Sequence, residues 1–232
     1  GLENPGIDGF IRDKLPGLIK IGPPIIVSIS SESDPQELVI LAKRLESIKK
    51  VAAIELNISC PNLQKTKLIA QDPHATYAVV KAVRRVTRKT LITKLSPNVA
   101  DIVEIAQAGQ EAGTDALSLV NTFYGMAIDV NSRKARLGSI VGGLSGPAIR
   151  PLAVRMVWEV YRKIKIPIIG MGGIMDTPSA LEFFLAGATA ICTGTANFIN
   201  PRVSLEILEG IKKYLSRNKI NHIKALTGSL KR

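Results

Sequence analysis

The segment from Glu55 to Asn62, which reads ELNISCPN, concentrates side chains that can do chemistry. It places the thiol of Cys60 between the carboxamides of Asn57 and Asn62. A thiolate can act as a general base, but only a few per cent of an unperturbed thiol is ionised at pH 7, so its neighbours must help. Carboxamides supply both hydrogen-bond donors and acceptors. The segment therefore predicts a polar site that contains a candidate base.

The two cysteines of the chain lie in different settings. A free cysteine is often no more than a small buried hydrophobic residue, and Cys192, inside a predicted strand, fits that description. Cys60 lies on a polar loop, where the following Pro61 favours an extended backbone. We therefore interpret Cys60 as the reactive thiol.

Lys94 interrupts the apolar run LITKL at residues 91–95. A buried ammonium costs several kcal/mol unless an anion compensates it. One interpretation pairs Lys94 with a core carboxylate such as Glu55. The other holds it against a cofactor that gains negative charge, and we favour the second.

Glycine-rich turns follow the last two apolar segments, with GMGG at residues 170–173 and TGT at residues 193–195. Each turn alone is explained by tight chain reversal. On consecutive strands, however, they match the phosphate site that a barrel builds after its last two strands. Neither turn forms a dinucleotide fingerprint, so we favour a phosphate site.

The elements that must position these residues alternate regularly along the chain, with short apolar segments between amphipathic ones. This alternation predicts helices between the strands of a parallel sheet with both faces covered. The predicted strands are Pro24–Ile29, Ala52–Leu56, Leu91–Leu95, Ala116–Val120, Ile166–Ile169 and Ala188–Cys192. The predicted helices are Gln36–Ile48, Thr76–Val86, Val99–Ala112, Ala148–Ile164, Thr177–Ala186 and one that begins near Lys212.

Six strand–helix units are visible, whereas a (β/α)8 TIM-type barrel needs eight. Because the phosphate turns mark the seventh and eighth strands, counting back leaves the first two strands absent from this chain. We therefore expect an α/β fold: one incomplete barrel domain over residues 1–232, with no ladder between its first and last strands. Asn57, Cys60, Lys94, Asn121 and Thr122 would then converge at the carboxyl ends of the strands.

Composition narrows the class of protein. The 232 residues carry a net charge of +12, but the basic residues are dispersed and aromatic residues make up only 4%. This favours a solvated basic surface, or one that steers small anions, over a nucleic-acid interface. No apolar run is long enough to span a membrane. Two cysteines and two histidines without ligand spacing argue against a metal site and for reduced thiols in the cytoplasm.

Six motifs together resemble the class 1 dihydroorotate dehydrogenases, and most closely their NAD-linked B branch. They read ELNISCPN, TKLSPNV, VNTFYGMAID, GGLSGPA, IPIIGMGGI and GTANF, and the resemblance runs from Gly1 to about Pro201. It implies an FMN-containing barrel that oxidises dihydroorotate to orotate in pyrimidine biosynthesis. It also implies a homodimer or heterotetramer, with an electron-transfer subunit that carries FAD and an iron–sulfur cluster.

Position by position, the resemblance implies roles for individual residues. Cys60 matches the catalytic base, and Asn57 matches a contact to both flavin and substrate. Cofactor contacts match Lys94, Val120, Gly146, Gly172, Gly173, Gly194 and Thr195. Substrate contacts match Asn62, Asn121, Thr122, Gly1 and Leu2.

Three departures from the family accompany this match. Ser28 stands where the family usually has a flavin-binding asparagine, the loop at residues 63–71 is rich in lysine, and the family's first strands are missing. Two other functions stay open. One is a flavin-dependent tRNA dihydrouridine synthase, which typically has GCP where this chain has SCPN. The other is a non-catalytic barrel that binds a phosphate ligand.

Overall fold

The structure is a computed structural model that describes residues 3–31, 34–59 and 69–231. Six strands form one parallel sheet in the order β1-β2-β3-β4-β9-β10, and four others form two antiparallel ladders, β5 with β8 and β6 with β7. The strands are β1 (Ile25–Ile29), β2 (Val51–Leu56), β3 (Thr90–Lys94), β4 (Ala116–Leu119), β5 (Phe123–Met126), β6 (Ile128–Asp129), β7 (Lys134–Ala135), β8 (Val141–Leu144), β9 (Ile168–Met171) and β10 (Ala190–Cys192).

Helices follow most strands of the parallel sheet. The α-helices are α1 (Gly6–Gly9), α2 (Leu15–Ile21), α3 (Pro35–Glu46), α4 (Pro73–Arg84), α5 (Ile102–Ala112), α6 (Arg150–Tyr161), α7 (Thr177–Ala186), α8 (Ala196–Ile199) and α9 (Val203–Arg217). A π-helical turn (Phe10–Lys14) joins α1 to α2. Three 3-10 helices are Ile69–Gln71, Pro147–Ile149 and Ile223–Leu226.

Aspartates begin four of the described helices. The side chains of Asp34, Asp72, Asp101 and Asp176 each accept a hydrogen bond from a backbone N–H in the first turn. Such a cap satisfies a donor that has no partner inside the helix. Asp34, Asp72 and Asp101 therefore fix where α3, α4 and α5 begin.

The two faces of the sheet differ in character. The outer face packs against the helices, and Leu56, Leu91, Leu117 and Ile168 are almost completely buried there. The inner face is partly polar and partly open. The register aligns Ser28 with Glu55 and Lys94 with Ser118 on that face, beside a small apolar layer of Ala53, Ile92, Ala116 and Ile169.

The sheet curls towards its inner face. Glu55 on β2 accepts a hydrogen bond from Ser118 on β4, which lies two strands away. Cys192 on β10 lies four strands from β2, roughly 19 Å along a flat sheet, and yet the charge of Glu55 raises its pKa. Side chains from distant strands therefore converge, as they do inside a barrel.

The predicted number of parallel strands is confirmed. The described part of the chain has six of them, and it shows no ladder between β1 and β10. The antiparallel ladders after β4 were not predicted, because their strands are short and lack clear alternation. Their apolar side chains Met126, Ile128, Val130 and Ile140 are more than half exposed.

Several predicted boundaries were wrong. The helical segment over residues 6–21 was missed, and the last long helix begins at Val203 instead of near Lys212. Gly109 lies buried inside α5 and does not end it; Gly113, in the left-handed region with φ 100°, does. A Cβ at Gly109 would meet Leu117 and Thr114 only at ordinary van der Waals distances.

Asp176→Ala should lower the free energy of unfolding by about 1 kcal/mol at neutral pH, because it removes a capping box with Ser179. Hydrogen bonds from the Ser179 side chain and backbone lower the pKa of Asp176. A lowered folded-state pKa means that this stability is present above the ordinary pKa and is lost as pH falls through the folded value. Urea unfolding should show a smaller difference in the free energy of unfolding between variant and wild type at about pH 3 than at pH 7. Asp13→Ala, an exposed ion-pair change, is the control, and an equal gap at both pH values would contradict the expectation.

Candidate active site

Asn57 and Asn121 meet at the carboxyl edge of the sheet, as predicted. Asn57 follows β2 and Asn121 comes shortly after β4. The Nδ2 of Asn121 lies 3.3 Å from Asn57 Oδ1 and donates to both the backbone oxygen and the Oγ of Ser59 at 3.0 Å. Ser59, which is fully buried, donates to Asn57 Oδ1. These bonds fix both carboxamides while the Nδ2 of Asn57 donates to no described residue.

A third asparagine, Asn98, organises the neighbouring loops and was missed. Its Nδ2 donates to the backbone oxygen of Thr122 at 3.0 Å, and its Oδ1 accepts from the backbone N–H of Tyr124 at 2.9 Å. The Oγ of Ser96 accepts from both the backbone N–H and the Nδ2 of Asn98. The signal was present, because Ser96-Pro97-Asn98 has the same polar-Pro-Asn form as residues 60–62.

The predicted glycine turns come together at the other side of the same edge. A Cβ built on Gly173 would lie 2.7 Å from the backbone oxygen of Gly146 and 3.0 Å from the backbone nitrogen of Arg150. Gly146 in turn approaches the methyl group of Thr195, whose Oγ1 donates to Ser145 Oγ at 2.8 Å. The loops after β8, β9 and β10 therefore form one cluster.

The backbone conformation favours glycine at three of these positions, and the first of them, Gly146, has a φ of 89°. Gly172 and Gly173 have φ values of 125° and 77°, which other residues rarely adopt. The side chain of Val120 lies next to Gly172, so it too borders the cluster. Gly194 has no heavy atom near its missing Cβ and faces open space. The backbone here is thus compact on one side and accessible on the other.

Lys94 is half-buried on the inner face, and its side chain has no ion pair or hydrogen bond with another described residue. The alternative of a Lys94–Glu55 ion pair is therefore not seen. Both oxygens of Glu55 instead accept from serine hydroxyls, Ser28 and Ser118. Ser28 stands where the family usually has a flavin-binding asparagine, and here it donates to the Glu55 carboxylate.

Cys192 is not the buried hydrophobic residue that its strand position predicted. Its residue surface is exposed on the inner face, since the third residue of β10 turns away from the helices. Nearby protein still desolvates the thiol and raises its pKa, and Glu55 adds to the rise while Lys94 opposes it. A thiol with a raised pKa is mostly protonated at neutral pH and makes a poor base.

Four predicted site residues, Cys60, Asn62, Gly1 and Leu2, lie outside the described residues. The same holds for most of the lysine-rich loop. Ser59, the last described residue before Cys60, is held by Asn121. The position at which the chain leaves β2 is therefore defined.

A cavity lies apart from the asparagines and glycines described above. It has a volume of about 330 Å³ and lies between α5 and α6, where Arg162 stacks on Trp158, and no glycine of the cluster lines it. Within the described ranges, no group of histidine, cysteine, aspartate and glutamate side chains is placed to hold a metal ion. No described helix is long and apolar enough to cross a membrane.

A curled parallel sheet with helices on its outer face and polar and glycine-rich loops at its carboxyl edge defines the class of TIM-type barrel enzymes. A model of the dihydroorotate dehydrogenase family matches residues 1–215. The chain belongs to this family, whose members are flavin-dependent oxidoreductases.

Relatives with about half of their residues identical support the same assignment. The dihydroorotate dehydrogenase B (NAD(+)) catalytic subunit of Trichlorobacter lovleyi is 52% identical over 231 residues, which cover 99% of this chain and 76% of the relative. The protein of the same name from Geotalea daltonii is 51% identical over 232 residues, with 100% and 76% covered. The chain thus spans about three quarters of their length.

A solved structure supports the fold alone. The crystal structure of DHODH from Eimeria tenella in complex with ferulenol superposes with a TM-score of 0.70 at 20% identity. The match covers 84% of this chain and 57% of that one. The partial barrel predicted from the strand count is therefore confirmed.

Proposed function

We propose that this protein oxidises dihydroorotate to orotate in de novo pyrimidine biosynthesis, with FMN as its cofactor. The observation that carries the proposal is the convergence of Asn57, Asn121 and a Lys94 side chain without a partner among the described residues, with a glycine cluster at one edge of the sheet. Membership of the dihydroorotate dehydrogenase family supports it. The family also disfavours the alternatives of a tRNA dihydrouridine synthase and of a non-catalytic barrel.

The glycine cluster fits the phosphate of FMN. The backbone at Gly172 and Gly173 has positive φ values, and a side chain at either would collide with its surroundings. Open space at Gly194 and the hydroxyl of Thr195 suit close approach of phosphate oxygens. We assign the phosphate to Gly146, Gly172, Gly173, Gly194 and Thr195, and the ring system to Val120, Lys94 and Asn57.

The asparagine network fits a planar, amide-rich pyrimidine. Asn57 and Asn121 are held by Ser59, so their remaining polar atoms have fixed directions. Thr122 adds a hydroxyl beside them, and its backbone N–H already fixes Asn121 Oδ1 at 2.8 Å. We assign substrate binding to these residues together with Asn62, Gly1 and Leu2.

The chemistry divides into a proton and a hydride. Cys60 removes the proton from C5 of dihydroorotate as its thiolate. When bound, the flavin supplies the acceptor, N5, for the hydride that leaves C6. Lys94 keeps its ammonium where negative charge develops, which is the electrostatic contribution expected of an unpaired interior cation. The dispersed basic surface attracts the orotate carboxylate.

The relatives are named as catalytic subunits of an NAD(+) enzyme. We infer that this chain also transfers its electrons to a second subunit, with FAD and an iron–sulfur cluster, in a homodimer-based or heterotetrameric assembly. A cytoplasmic location and a single domain over residues 1–232 stay predictions.

A visible absorption spectrum of the purified full-length protein tests the proposal. We expect flavin absorption bands that bleach on anaerobic addition of dihydroorotate. Uridine-containing tRNA should leave the spectrum unchanged. A protein that binds no flavin, or a flavin that does not respond to dihydroorotate, would contradict the proposed function.

Gly173→Ala should release FMN. The added Cβ would approach the backbone oxygen of Gly146 to 2.7 Å, in a residue whose φ of 77° already disfavours side chains. We expect a loss of about 1–3 kcal/mol of stability and a fall in FMN content after gel filtration. Gly17→Ala, in a helix and with open space around its Cβ position, is the matched control. Full FMN retention in Gly173→Ala would remove this loop from the phosphate site.

A further inference from the structure

Glu55 is held from two sides on the inner face of the sheet. The Oγ of Ser28, on β1, donates to Oε1 at 2.8 Å, and the Oγ of Ser118, on β4, donates to Oε2 at 2.7 Å. The second bond passes over the intervening strand β3. Hydrogen bonds to a carboxylate are stronger than those between neutral groups, so both oxygens have a fixed direction.

Lys94 is the cation nearest to this carboxylate in the register. Glu55 aligns with Ile92, two residues before Lys94 on the same face, and Lys94 aligns with Ser118. Diagonal neighbours of this kind lie about 7–8 Å apart, within reach of long side chains. Even so, Lys94 forms no ion pair with any described residue.

We propose that Ser28 and Ser118 are positioning residues that keep Glu55 from pairing with Lys94, and so leave the Lys94 ammonium free for an anionic ligand on the inner face. The inference rests on the proposed function only for the identity of that ligand, the flavin. An ammonium already paired with a carboxylate offers little net charge to a third group, whereas an unpaired one interacts at full charge.

The electrostatics of the inner face agree with this arrangement. Beyond its desolvation, the Cys192 thiol has its pKa raised by Glu55 and lowered by Lys94. Both charged side chains therefore face the same interior space as this thiol.

Ser118→Ala in the full-length protein tests the inference. We expect a crystal structure to show the Glu55 carboxylate within about 4 Å of Lys94 Nζ, and the dissociation constant for FMN to rise about fivefold, the typical effect of one partly exposed ion pair. Adding Glu55→Gln to Ser118→Ala should return the dissociation constant to within about twofold of wild type. Ser216→Ala, on the exposed surface of α9, is the control.

The outcomes separate this inference from the proposed function. If wild-type protein does not bind FMN, the proposed function fails, but the distance between Glu55 and Lys94 in Ser118→Ala still decides the inference. An unmoved Glu55, or a double variant no better than Ser118→Ala, overturns it. If Ser118→Ala does not fold, Glu55→Gln alone tests the inference, because it removes the carboxylate that competes with the ligand for Lys94. A weaker FMN affinity in Glu55→Gln than in wild type overturns the inference.

Discussion

Cys60→Ala is expected to retain flavin and to lose most dihydroorotate oxidation near neutral pH. General-base catalysis by a positioned side chain contributes typically about 10²–10⁴-fold to a rate, so a loss in that range is expected. Cys60 directly follows Ser59, which Asn121 holds at the carboxyl edge of the sheet. Stopped-flow bleaching of the flavin by dihydroorotate measures the step itself. Bleaching at the wild-type rate would rule out Cys60 as the base.

Cys192→Ala is the matched thiol control. Cys192 has a raised pKa, so it is mostly protonated at pH 7 and contributes no base. The rate of bleaching should therefore stay close to wild type. The substitution should change mainly the stability of the protein, because nearby protein partly desolvates the thiol. A loss of rate equal to that of Cys60→Ala would reverse the assignment of the two thiols.

Lys94→Met is expected to weaken flavin binding and to make the reduction potential of the bound flavin more negative. The ammonium has no partner among the described residues, so its charge acts on whatever anion binds the inner face. Removing a single preorganised electrostatic contact lowers kcat by about 10²–10³-fold in favourable cases. We expect the effect of removing a half-buried lysine to lie near the lower end of that range. Potentiometry and flavin content after dialysis measure the two effects.

Lys43→Met provides the control for charge alone. Lys43 is exposed on the outer surface of α3, and its loss changes the net charge by the same amount. Its potential and flavin content should match wild type. If Lys94→Met matched it in both measurements, Lys94 would have a structural role only.

Local patterns in the sequence predicted the parts of the fold that depend on near neighbours. The alternation of apolar segments predicted six parallel strands, and helix α7 was predicted with its observed bounds because Asp176 and Gly187 mark its ends. Capping bonds join residues two or three positions apart, so their signals lie within one short window. The glycine turns could be predicted in the same way, since positive φ values favour glycine wherever they occur.

Contacts between distant strands were decided by the tertiary structure. The bond from Ser118 to Glu55 joins residues 63 positions apart, and that from Asn121 to Asn57 joins residues 64 apart. The spacing of apolar residues shows which face a side chain takes, but the curvature of the sheet decides which side chains on that face meet. For this reason the sequence left Lys94 and Glu55 as a possible pair. In the structure both oxygens of Glu55 accept hydrogen bonds from serines. Because the curvature of the sheet brings Ser118 to Glu55, Lys94 is left without a partner among the described residues.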